Sequence, residues 1–258
     1  MIDIHNHILP CLDDGADSPA VSLRMARIAV SDGIRVIVAT PHINGLYSVD
    51  PENILYEVDR LNLLLRQEDV PLKVLPGADI HVDSRLVDAV KNGEVMTVNN
   101  NRRYIMLELP DYGIPRHMSD FLWEMRMNGI TPVLTHPERN AAIQDDINIL
   151  QGFIMQGALS QITAMSLTGE FGRKPKRCAV ALLKHDLAHV IATDAHSTRR
   201  RPPVLSRALR VAGDIVGDDQ ALRMVTEIPE NIINGADVGV PEPRSRKVRF
   251  FERLLSRS

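Results

Sequence analysis

The 258-residue sequence predicts a single α/β domain built on a closed or nearly closed parallel barrel, and three observations carry that reading. Short β-rich runs alternate with helical patterns along the whole chain, which implies parallel strands joined by crossover helices. Roughly seven such units are present, and about 250 residues is the size at which repeated βα units close on themselves. The histidines and acids able to do chemistry fall at the carboxyl ends of the expected strands, the face on which barrels place their sites.

The chain opens on a strand at 2–4, and a helix at 20–31 follows, announced by Ser18-Pro19. A strand at 34–40 leads into a helix at 51–67, whose start carries Asp50-Pro51 with Glu52 in the first turn. Strands at 72–79 and 104–109 come next, then a helix at 118–128 and a strand at 131–135. Residues 147–169 carry no charge, but Asn148, three glutamines and three glycines interrupt them, so they make a poor membrane span. They read as part of a buried helix at 145–156 followed by a strand at 159–164. A helix at 174–185, a strand at 189–193 and a helix at 204–216 complete the alternation. No repeat, low-complexity stretch or internal linker interrupts it, so the expected division is one domain over 1–240 and a tail over 241–258.

Composition narrows the function classes. The chain is 44% hydrophobic and 24% charged, an ordinary soluble balance, with a formal net charge of −3. That charge argues against nucleic-acid binding, which needs clustered positive charge. The tail is the exception: 241–258 holds six basic and two acidic residues, a charge of +4, which leaves −7 on 1–240. Within it Phe250, Phe251, Leu254 and Leu255 form one apolar stripe at helical spacing. A basic amphipathic helix of this kind can lie on an anionic membrane or an acidic partner, or dock on the barrel or a second subunit. The start lacks the basic segment and apolar run of a secretion signal. The two cysteines, Cys11 and Cys178, suggest neither a disulfide framework nor a thiolate metal site, so a reducing cytoplasm is expected. Both read as buried or structural thiols. Cysteine-dependent phosphatase chemistry needs C-x5-R, but Asp17 follows Cys11 at that spacing and Lys184 follows Cys178.

The first chemical signal is His5-Asn6-His7. Residues i and i+2 of an extended chain point to one side, so both imidazoles can converge on one ion. His42, Asp79, Glu108, His136, Asp194 and His196 each fall at or just after the end of an expected strand. In a barrel these ends share one rim. A nitrogen and oxygen donor set without cysteine suits Mn, Fe or Zn, and acids able to bridge imply more than one ion. His117, His185 and His189 read as surface or cap residues, and His81 faces the rim without an evident partner.

At these residues the sequence resembles the PHP (polymerase and histidinol phosphatase) family, and within it the bacterial metal-dependent protein-tyrosine phosphatases of capsular and exopolysaccharide synthesis, the CpsB/YwqE type. The resemblance runs from Met1 to about Gly235. It rests on the opening MIDIHNHILPCLDDG, ATPH at 39–42, PGADIH at 76–81, LEL around Glu108, GITPVLTHPER at 129–139, HVIATDAH at 189–196 and RRPP at 200–203.

The resemblance implies a distorted seven-stranded barrel holding three divalent ions, with manganese favoured and iron or zinc as alternatives. One ion would take His5, His7, Asp79 and Asp194, a second Asp79, Glu108 and His136, and a third Asp14, His42 and His196. Asp14 is the ligand by alignment, with Asp13 as the alternative. The bridging acid of the family is usually Glu, and Asp79 is shorter by one CH₂. Arg139 and Arg201 match the family's phosphate-binding arginines and, with His42, make up the implied catalytic set. Guanidinium offers a planar, permanently charged fork for phosphate oxygens, whereas Arg199 and Arg200 read as solvated surface.

The implied reaction is in-line attack of a metal-activated water on the phosphate of phosphotyrosine, the substrate being the tail of a tyrosine autokinase. A site that holds only the phosphate should be nearly indifferent to flanking sequence. Two alternatives stand beside this reading. One is a small-molecule phosphatase of the histidinol-phosphate type; the other is a non-catalytic metal-stabilised scaffold of the export machinery.

Overall fold

In the computed structural model, which describes residues 1–239, every strand runs parallel to its neighbours. The strands are β1 (Ile2–Asn6), β2 (Val36–Ala39), β3 (His42–Ile43), β4 (Lys73–Pro76), β5 (Asp79–His81), β6 (Tyr104–Glu108), β7 (Thr131–Thr135), β8 (Leu159–Thr163) and β9 (Val190–Ala192). They form a three-stranded sheet, β1-β2-β4, and a six-stranded sheet, β3-β5-β6-β7-β8-β9.

The expected strand at 72–79 is therefore two strands in two sheets, β4 and the start of β5. The reason is local. A Cβ on Gly77 would lie 2.6 Å from Val38 Cγ1, so only glycine lets the chain cross β2 this closely. β2 and β3 are divided in the same way at Thr40-Pro41, where proline has no N–H to continue a ladder. With each divided pair occupying one position, the order runs through seven strand positions and returns to its start. Asn6 bridges Ala195, Asp194 N–H donates to the His5 carbonyl at 2.8 Å, and His7 N–H donates to the Ala195 carbonyl at 2.9 Å. This is the distorted barrel the sequence predicts.

Helices cover the outside: α1 (Pro19–Ser31), α2 (Pro51–Gln67), α3 (Leu86–Asn92), α4 (Met118–Met127), α5 (Ala141–Asp145), α6 (Asn148–Met155), α7 (Ala164–Thr168), α8 (Arg173–Lys184), α9 (Ser206–Val216), α10 (Asp218–Arg223) and α11 (Glu227–Ile233). In α2 the Asp50 side chain accepts from Asn53 N–H at 2.8 Å, a cap worth about 1 kcal/mol. The same helix turns Ile54, Val58, Leu61 and Leu65 inward on one stripe. Short helices such as α3 and α5 carry too few turns to show a period. Helices α10 and α11 close the barrel's foot: Ile2 N–H donates to the Val225 carbonyl at 2.8 Å, and the Asn101 amide donates to the Ile232 carbonyl at 2.7 Å.

The strands bury both faces, as parallel sheets flanked by helices must. Ile4, Ile37, Ile105, Leu107, Val133, Ile162 and Ile191 are all fully buried. Among the described residues no helix is long and apolar enough to cross a membrane. The basic segment 241–258 lies outside the described residues.

Candidate metal centre

The strand ends deliver the candidate ligands to one mouth. His5 lies in β1 and His7 just beyond it, their Nε2 atoms 3.2 Å apart. His42 opens β3 and pairs in register with Asp79, which opens β5. Glu108 ends β6, His136 follows β7, and Asp194 and His196 follow β9. His136 (φ +35°) and Asp194 (φ +52°) adopt left-handed backbone. Such strain, of order 1–3 kcal/mol per residue, gathers where a side chain must be aimed.

The donor atoms stand at the spacing of atoms that share ions. Two donors bonded to one ion at about 2.0–2.2 Å are about 3.0–3.5 Å apart in tetrahedral or octahedral geometry. His5 Nε2 is 3.4 Å from both Asp79 Oδ2 and Asp194 Oδ1, and His7 Nε2 is 3.3 Å from Asp194 Oδ1. His136 Nε2 is 3.3 Å from Glu108 Oε1, and His196 Nε2 is 3.4 Å from Asp14 Oδ1. His42 faces acids with both ring nitrogens: Nδ1 is 3.5 Å from Glu108 Oε2, and Nε2 is 3.7 Å from Asp14 Oδ1. Asp79 Oδ2 is central, also 3.6 Å from His42 Nδ1 and 3.9 Å from His136 Nε2. All nine candidate ligands named from the sequence thus meet in one cluster, which divides into overlapping groups with His5, His7, His42 and Asp79 shared between them.

Partners that sequence reasoning missed set the orientation of three imidazoles. His5 Nδ1–H donates to Gln161 Oε1 at 2.8 Å, His7 Nδ1–H to Asp13 Oδ2 at 2.6 Å, and His196 Nδ1–H to the Asp194 carbonyl at 3.0 Å. Each bond leaves Nε2 with its lone pair turned into the cluster, as a metal ligand requires. Asp13 is thereby distinguished from Asp14: it backs His7, and it accepts from the His42 and Gly15 N–H groups. A Cβ on Gly15 would fall 2.2 Å from the His7 carbonyl oxygen, so glycine alone allows this loop to press on His7.

The protein's own groups leave the cluster in need of positive charge. Burial, then the neighbouring Glu108, raises the Asp79 carboxyl well above its ordinary range. Burial opposes a proton on His7, but Asp13 and Asp194 outweigh it and raise the ring to about 10, so without a cation Nε2 holds a proton that a bound ion would replace. Asp79 Oδ2, His42 Nδ1, His136 Nε2 and His196 Nε2 are buried with no hydrogen-bond partner and all face the cluster. Unsatisfied buried polar atoms cost about 1–3 kcal/mol each, and cations held among them remove that cost. The residues present therefore fit divalent ions.

Beside this cluster stand Arg139 and Arg201, whose Nη2 atoms lie 2.8 and 2.5 Å from Asp194 Oδ2. Asp194 thus divides its oxygens, Oδ1 toward the imidazoles and Oδ2 toward the guanidiniums. Burial opposes its charge, but Arg139, His5, His7 and Arg201 together hold its carboxyl well below the usual range. Both guanidiniums also lie over the Phe171 ring, at 5.4 and 5.8 Å. Behind Arg139, the fully buried Glu138 accepts from Thr163 N–H at 3.0 Å and from the Ser166 hydroxyl at 2.6 Å, which fixes the 137–139 turn to β8 and α7.

Other residues depart from the sequence reading. His81 has a partner, Glu108 Oε2 at 2.7 Å. His189 is neither a surface nor a cap residue: it is buried just before β9, accepts from Ser160 N–H at 3.0 Å, and burial lowers its ring to about 4. Cys11 is exposed, in a loop with left-handed backbone, while Cys178 is buried and its thiol is raised to about 12.

Tyrosine-protein phosphatase YwqE of Bacillus subtilis is 37% identical over 253 residues, covering 97% of this chain and 99% of that protein. Putative tyrosine-protein phosphatase CapC of Staphylococcus aureus is 36% identical, covering 80% of this chain and 81% of that protein. A crystal structure from work on YwqE and Streptococcus pneumoniae CpsB, described as unique metal-dependent tyrosine phosphatases, superposes with a TM-score of 0.91 at 37% identity. It covers 96% of this chain and 100% of that one. Histidinol phosphate phosphatase from Lactococcus lactis shares only the fold, at a TM-score of 0.54 and 14% identity, with 85% of this chain and 93% of that one covered. Residues 1–234 match the capsular polysaccharide synthesis CpsB/CapC family, and the chain belongs to it.

Proposed function

We propose that this protein is a metal-dependent protein-tyrosine phosphatase of capsular or exopolysaccharide synthesis, acting in the cytoplasm on the phosphorylated tail of a bacterial tyrosine kinase. The observation that carries the reading is the arginine pair on Asp194, set against a cluster of five histidines and four acids. A scaffold has no need of phosphate-gripping groups beside metal ligands.

In this reading the barrel over 1–240 holds three ions. His5, His7, Asp79 and Asp194 would hold one, Asp79, Glu108 and His136 a second, and Asp14, His42 and His196 a third. The all-nitrogen-and-oxygen donor set favours manganese, with iron or zinc as alternatives. Divalent ions supply Lewis acidity and a bound water acidic enough to attack phosphorus near neutral pH. Arg139 and Arg201 bind and orient the phosphate, and their hold on Asp194 places them before substrate arrives.

Departure of the leaving group decides the substrate class. Tyrosine phenolate, whose acid has a pKa of about 10, leaves without a proton donor far more readily than an alkoxide. The rim histidine His81 turns Nε2 to Glu108 Oε2 at 2.7 Å, and that carboxylate raises its ring above the ordinary value. Beside His81 lies a cavity of about 720 Å³ bounded by Ile43, Asn44, Asp50, His81 and Arg85, roomy enough for a side chain offered by another protein.

The test compares kcat/KM for a phosphotyrosine peptide, a phosphoserine peptide and histidinol phosphate at identical metal loading. Phosphotyrosine is expected to exceed both others by on the order of a hundredfold, the scale of an absent general acid. A preference for either alkyl phosphate would overturn the tyrosine-phosphatase reading and leave the metal site standing.

A further inference from the structure

A second, basic cavity lies beside the phosphate-binding pair. It measures about 260 Å³, and its walls include Met165, Glu170, Arg199, Arg200, Pro202 and Arg207. Glu170 is already engaged, pairing with Arg207 at 3.1 Å and accepting the Thr168 hydroxyl. Arg199 and Arg200 are exposed and make no ion pair among the described residues. Three guanidiniums against one carboxylate leave two unbalanced positive charges here, on a domain whose residues 1–240 carry −7 overall.

The cavity shares two chain segments with the phosphate pair. Arg200 and Pro202 flank Arg201, and Glu170 precedes Phe171, the ring beneath both Arg139 and Arg201. Consecutive residues are about 3.8 Å apart. A polypeptide gripped by its phosphate at Arg201 has residues a few positions away within reach of this opening. Guanidinium pairs well with either a carboxylate or a phosphate through its planar fork.

We propose that this cavity is an anion subsite, which binds a carboxylate or a second phosphate carried by the substrate polypeptide close to the phosphotyrosine. The inference rests on the tyrosine-phosphatase reading and gives it a sequence preference, in place of the indifference to flanking residues that a bare phosphate grip implies.

The test is steady-state kcat/KM, with metals loaded and at low ionic strength, for phosphotyrosine peptides that differ at one flanking position. Gln, Glu or phosphoserine is placed at each flanking position in turn, so the Glu and phosphoserine arms separate a carboxylate ligand from a phosphate one. Wild type is expected to favour an anion at one or more positions by roughly five- to tenfold over Gln, the scale of two exposed charge pairs. The preference should fade with added salt. R199A/R200A is expected to bring the ratio to about one, and R199E/R200E to favour Lys at the same position. Equal cleavage of Gln, Glu and phosphoserine peptides by wild type at every position overturns the subsite, as does R199A/R200A keeping the wild-type ratio. Cleavage of the Gln peptides shows that the phosphatase reading stands even then; cleavage of no peptide at all removes that reading and this one with it.

Discussion

Asp79→Asn or His5→Ala should strip bound metal from the protein and lower kcat/KM toward phosphotyrosine by on the order of a hundredfold or more. The scale comes from metal sites in which an outer partner alone costs about 10–100-fold, and both residues sit inside that shell. Asp79 Oδ2 stands 3.4 Å from His5, 3.6 Å from His42 and 3.9 Å from His136, so its removal disturbs more than one donor group at once. Neither change should unfold the chain. Burial already penalises a charged Asp79, and Asn removes that charge while keeping an oxygen for the Thr135 hydroxyl, now 3.1 Å from Oδ1. Elemental analysis beside kinetics checks this, and wild-type metal content in both variants would contradict the ligand assignment.

Arg139→Ala and Arg201→Ala should do the opposite, keeping metal and losing phosphate recognition. A hydrogen bond to a charged group contributes about 1.5–3 kcal/mol, which converts to a loss of about 10- to 150-fold in kcat/KM. Inhibition by inorganic phosphate should weaken in parallel. Phe171→Leu removes the ring under both guanidiniums without touching either charge, and a loss of roughly two- to fivefold matches a cation–π contact at an exposed site. Unchanged kinetics and unchanged phosphate inhibition in both arginine variants would return those residues to the solvated surface.

Much of this site was legible in the sequence because strand alternation and the barrel rule convert chain position into place. His5, Glu108, His136 and Asp194 are far apart in the chain, yet each falls near or just past the end of a parallel strand, and Asp79 falls where β4 gives way to β5. What supports them was not legible. Gln161, which orients His5, lies 156 residues away and carries no pattern that marks it. Phe171 sits in a short turn flanked by Gly169 and Gly172, and only the folded chain brings it under two arginines. Glu138 was visible within the HPER run but without a role, since its partners Thr163 and Ser166 belong to the next βα unit. Periodicity also cannot locate a switch between sheets, because 72–79 reads as one β-rich run, although it joins β4 to the first residue of β5, until Gly77 is seen crossing β2. His189 was misplaced for a related reason: beside a helix end its burial depends on Ser160, from a neighbouring strand.

Hydrolysis is expected to depend on ions held by this histidine and carboxylate cluster and not on a side-chain nucleophile. The deciding measurement follows kcat/KM toward one phosphotyrosine peptide through exhaustive chelation and then stepwise return of Mn²⁺, with bound metal measured at each step. Activity is expected to disappear on chelation while the protein stays folded, and to return in proportion to the metal regained. Activity that survives at negligible metal content would contradict the account.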